Sequence, residues 1–122
     1  MDVSVFEAII KEQIERSQKV LIGKAEEYAK GGDRLHNFRV ASQLMGVSIE
    51  QAIAGMMTKH TVSIYDMCLS DRNYTMEMWN EKITDNINYL LILRAAVESH
   101  INIYSDDGVV MSVRGDGNHV ND

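Results

Sequence analysis

Glu81-Lys82-Ile83-Thr84-Asp85-Asn86-Ile87-Asn88-Tyr89 lies inside a stretch that predicts one long helix. A helix repeats about every 3.6 residues, so Glu81, Asp85 and Asn88 fall on one face, a turn apart. Two carboxylates and an amide, all hard oxygen donors, are thereby offered to a single cation. Trp79, Ile83, Ile87, Leu90 and Leu91 read as the apolar side of the same helix. Like charges at i,i+4 cost an isolated helix a few tenths of a kcal/mol, about 0.2–0.5. Mg²⁺ (or Mn²⁺) is the simplest species that offsets the repulsion.

Working outward, the periodicity predicts three more helices. The first runs from about residue 4 to 24, reaching at most 28, with Phe6, Ile9, Ile10, Ile14 and Leu21 inward. Gly31-Gly32 ends or interrupts helical structure. A short helix over 35–45 turns Phe38, Ala41 and Leu44 inward, and Gly46 stops it. Ser48 with Gln51 forms a capping box that opens a third helix to about Leu69. Thr75 caps the fourth, which runs to about His100. After Ser105 the pattern stops, so residues 1–104 read as one all-α, four-helix bundle-like domain and 105–122 as a polar, disordered or irregular tail. A strand over Val109–Val113 is expected there only with a pairing partner.

At 122 residues the chain is sized for one domain. The absence of proline, together with eight methionines, tilts it towards helix. The start lacks the basic and apolar blocks of a signal peptide, and one cysteine, Cys68, fits a reducing cytoplasm as a semi-buried small apolar residue. A net charge of −6 leaves no basic footprint for nucleic acid, and no apolar run suits a membrane.

Lys59, Ser63 and Asp66 make a second polar stripe on the third helix. With helices three and four antiparallel, Glu81 and Asp85 are expected opposite Asp66 to Ser63, with Lys59 reaching phosphates held by the same metal. A further cluster, Glu27, Asp33, Arg34, His36 and Asn37, offers base, ribose or phosphate contacts but is not a P-loop. His36 and His60 lack zinc-site spacing.

The ordered series Glu27-Tyr28, Asn37-Phe38, Met57 with Lys59, Asp66, then Glu81 and Asp85 followed by Tyr89 resembles a small phage-type branch of the MazG-like all-α nucleoside triphosphate pyrophosphohydrolases, over residues of about 20 to 98. The resemblance implies a helical-bundle homodimer or homotetramer that uses Mg²⁺ or Mn²⁺ to convert a nucleoside triphosphate to the monophosphate and pyrophosphate. It implies Asp66, Glu81, Asp85 and Glu27 as metal ligands, Glu81 or Glu27 as the group that activates water, and Lys59, Asn37, Arg34 and Asn88 as substrate contacts. Glu81 and Asp85 are one residue further apart than the family's second acidic pair. Ser63 stands where another acid is expected, and Glu27 or Glu26 would take its place. A non-catalytic nucleotide-binding protein on the same fold is the alternative, and a methionine-faced partner-helix module is a third.

Overall fold

The computed structural model describes residues 1–23 and 31–105, the last five as backbone only, and residues 24–30 and 106–122 lie outside the described part. Four helices are present among the described residues: α1 (Val3–Gly23), α2 (His36–Met45), α3 (Ile49–Leu69) and α4 (Met76–Ser105). The chain is all-α and bundle-like. Its termini follow from local chemistry. Ser48 Oγ accepts the Gln51 N–H while Gln51 Oε1 accepts the Ser48 N–H, a reciprocal cap on α3. Gly46 ends α2 at φ 69°, a left-handed conformation that glycine adopts without the clash of a Cβ. Thr75 Oγ1 accepts the Met78 N–H at the head of α4.

The α2 entry uses a different device. Asp33 Oδ1 accepts the Leu35 N–H at 3.0 Å, and Asp33 Oδ2 accepts from Arg39 Nε, also at 3.0 Å. The Arg39 hydrogen bond, then the Leu35 N–H, hold the Asp33 carboxyl below the usual carboxylate range. What this adds to stability is present above the ordinary value of about 3.9 and lost as pH falls through the lowered one. Arg39→Ala is expected to raise the Asp33 midpoint towards the ordinary value in an NMR titration, and an unmoved midpoint would assign the effect to the backbone alone.

Helices α3 and α4 run antiparallel. Asn86 Nδ2 donates to the carbonyl oxygens of His60 and Lys82, both at 2.9 Å, and Asn86 Oδ1 accepts from Thr61 Oγ1 at 3.2 Å. At the far end, His100 Nε2 lies 3.3 Å from Glu50 Oε2. Helix α2 packs on α3, and α1 packs on α4. The α1–α4 contact is partly polar: Gln13 Nε2 donates to Ser17 Oγ and Thr84 Oγ1, each at 3.0 Å, which satisfies two buried hydroxyls.

The core joins Leu35, Phe38, Ile49, Ile53 and Ala96, with Met56, Tyr89, Ile92 and Leu93 around it. This corrects the expected faces. In α4 the inward side carries Thr84, Asn88 and Ala96, while Ile83, Leu90 and Leu91 face out. In α1, Phe6, Ile9, Ile10 and Ile14 are exposed and Ser17 is buried, and in α2 Leu44 is exposed. Cys68, expected half-buried, is exposed too. Among the described residues, no helix is long and apolar enough to cross a membrane. The expected tail and the Val109–Val113 strand lie outside the described residues.

Candidate functional site

A cavity of about 330 Å³ opens between the four helices, within the size range of small-molecule sites. Val20 and Leu21 of α1, Phe38 of α2, Met56 of α3 and Ile92 of α4 form its apolar walls. Arg34, Asn37, His60, Asp85, Asn88 and Tyr89 supply polar atoms. Burial is graded across the site. Asn88 is 6 % exposed at the inner end, Arg34, His60 and Asp85 are half-buried, and Asn37 is exposed at the rim.

The floor is aromatic. Tyr89 stands edge-on to Phe38, with ring centroids 6.3 Å apart, and lies tilted against the His60 ring at 4.9 Å. His60 Nδ1 is 3.8 Å from Asp85 Oδ2, and Asn86 bonds to the His60 carbonyl. An imidazole is therefore fixed beside a carboxylate at the cavity wall. Such a couple can orient a water and accept its proton.

Asn88 is the anomaly. Its Oδ1 is buried and accepts no hydrogen bond among the described residues. A buried amide oxygen left without a donor costs about 1–3 kcal/mol, so native structures rarely keep one unless something fills the need. Here the residue borders a cavity, where an entering molecule can present an N–H or O–H.

Four residues picked out in the sequence, Arg34, Asn37, Asp85 and Asn88, line this one cavity. The other described ones do not: Lys59, Asp66 and Glu81 are exposed and lie off its wall. Asp85 stands beside His60, not Ser63, about one turn from the expected register. Glu27 lies outside the described residues. Among those described, no three His, Cys, Asp or Glu side chains stand close enough to share a metal ion. The described carboxylates therefore do not fit a Mg²⁺ or Mn²⁺ site by themselves, since such ions are held by converging oxygens.

Sequence reasoning weighed His60 only as a zinc ligand and gave Asn86 no role. A signal for His60 was present, because Ile53, Met56 and His60 follow the i, i+3, i+7 spacing of an inward row. For Asn86 there was none, since its role depends on the partner helix.

No protein-family model, no curated protein and no solved structure matches this chain. Fold and site together define an all-α bundle with a polar-ended internal cavity, and the functional reading rests on that cavity.

Proposed function

We propose that the chain binds a nucleoside triphosphate in the four-helix cavity, with the base inward and the phosphates at the rim. The observation that carries this reading is the unsatisfied Asn88 Oδ1 beside an aromatic wall. A nucleobase carries N–H donors on its edge and a π-face for Tyr89, and base–aromatic stacking contributes about 1–3 kcal/mol. Arg34, half-buried on the same wall, brings a permanent positive charge to the end where phosphates would emerge. In a chain of net charge −6 such local charge is what an anionic ligand requires.

Cleavage to monophosphate and pyrophosphate is the activity that the resemblance through Glu27, Glu81 and Asp85 implies, and of these Asp85 lines the cavity. The described residues support the binding half of that activity more directly. For the chemical half they offer the His60–Asp85 couple, placed to hold a water and take its proton.

A panel of ribo- and deoxyribonucleoside triphosphates, with and without Mg²⁺ or Mn²⁺, tests both halves. Calorimetry reports binding, and simultaneous detection of monophosphate and pyrophosphate reports turnover. Binding of a subset of bases is expected. Heat without product would leave a nucleotide-binding protein, and no heat with any nucleotide would overturn the reading.

A further inference from the structure

Helix α1 carries two neighbouring i,i+4 rows that the single chain leaves uncovered. One is apolar except at the exposed Gln18, with Phe6, Ile10, Ile14 and Ile22 all exposed, Ile14 at 60 % and Ile22 at 64 %. It continues across a groove of about 490 Å³, lined mainly by apolar side chains, onto Ile87 and Leu91 of α4. The other row reads Glu7, Lys11, Glu15, Lys19: alternating charges, each exposed, and none in an ion pair among the described residues.

The order of those charges identifies what covers the apolar row. Read backwards, the row is Lys19, Glu15, Lys11, Glu7. A second α1 laid antiparallel therefore faces Glu7 with Lys19 and Lys11 with Glu15, and the two-fold repeats both pairs. In a parallel pair the row lies across the seam from the uncharged Ile9, Gln13 and Ser17 side of the partner and forms none of these pairs. We infer that α1 and the α1–α4 groove form a homodimer interface in which the first helices of two copies pack antiparallel.

The area suffices. A half-exposed aliphatic side chain has about 60 Å² left to bury. Phe6, Ile10, Ile14, Ile22 and Leu91 of each copy, with the less exposed Ile87 and the stems of the charged row, bring the pair to about 1,000 Å², the lower bound for a specific interface. Depletion of charge along the apolar row, with ionic residues at its edge, is the arrangement such interfaces show. The groove meets the nucleotide cavity at Leu21, which lines both, but none of the four charged-row residues borders the cavity, so variants in that row test the interface separately.

Sedimentation equilibrium at low ionic strength tests the pairing, because screening weakens exposed ion pairs. The wild type is expected at twice 13.8 kDa. The double variant Lys11→Glu with Lys19→Glu makes the row wholly acidic, and Glu7→Lys with Glu15→Lys makes it wholly basic. Each should run as a monomer alone, and an equimolar mixture should return to the dimer mass. That recovery also shows that neither variant was merely unfolded. A monomeric wild type, a variant that stays dimeric, or a mixture that fails to associate would overturn the inference.

Discussion

Asn88→Leu is expected to raise the stability of the ligand-free protein while weakening nucleotide binding. Leucine nearly matches asparagine in shape and has no polar atom to strand. The wild-type oxygen, buried without a donor, costs about 1–3 kcal/mol in the empty protein. Its removal returns a comparable amount, seen as a higher urea midpoint at unchanged slope. In the complex the same oxygen is satisfied by the base, so binding loses that hydrogen bond, about a five- to 150-fold weakening for 1–3 kcal/mol. Stability and affinity therefore move in opposite directions, the usual signature of a residue kept for function. Asn88→Asp separates shape from chemistry. It keeps the volume and an acceptor for the base N–H but turns the amide into a carboxylate, which is costly to bury in the empty protein. A fall in stability for Asn88→Leu would show that the amide holds the core together, and would remove the main support for a ligand there.

The elements were legible in the sequence wherever a cap is written in adjacent residues. Ser48 with Gln51, Gly46 and Thr75 mark helix ends through their own backbone partners, and all three sit where the spacing predicts. Faces were harder. In α4, apolar residues occur on opposing sides: Ile83, Leu90 and Leu91 on one, Ile92, Leu93 and Ala96 on another. Periodicity alone cannot choose between two such stripes, and the polar Thr84 and Asn88 argued for the wrong one. They are inside because Gln13 reaches Thr84 from 71 residues away, and because Asn88 borders a cavity. Neither reason is local.

The candidate site was legible to the same partial degree. Asp85 and Asn88 share a helical face, and that face does point inward. Glu81 belongs to the same row, yet it lies a turn nearer the helix start and reaches solvent. The α3 side was misread by one position, since the stripe through Lys59 and Asp66 is outward and the row through His60 is inward. Residues 59 and 60 differ by about 100° around the axis, enough to exchange a solvated lysine for an imidazole at the cavity.

Ile53→Ala is the substitution expected to cost the fold most. Among the described residues Ile53 is the one large side chain with no exposed surface, held between Leu35, Phe38, Ile49 and Ala96. Truncation removes buried methyl groups and leaves a void that the helices fill only in part, at about 2–5 kcal/mol. A domain of this length holds on the order of 6–15 kcal/mol in all, so a large fraction of its stability is at stake. Ile53→Val should cost about 0.5–1.5 kcal/mol, and the graded pair separates cavity formation from a general intolerance of change. Because Phe38 packs on both Ile53 and Tyr89, the void also loosens the aromatic wall of the cavity. Nucleotide affinity should fall with stability in Ile53→Ala, whereas in Asn88→Leu it falls as stability rises. Equal urea midpoints for Ile53→Ala and wild type would mean that the core does not rest on this residue.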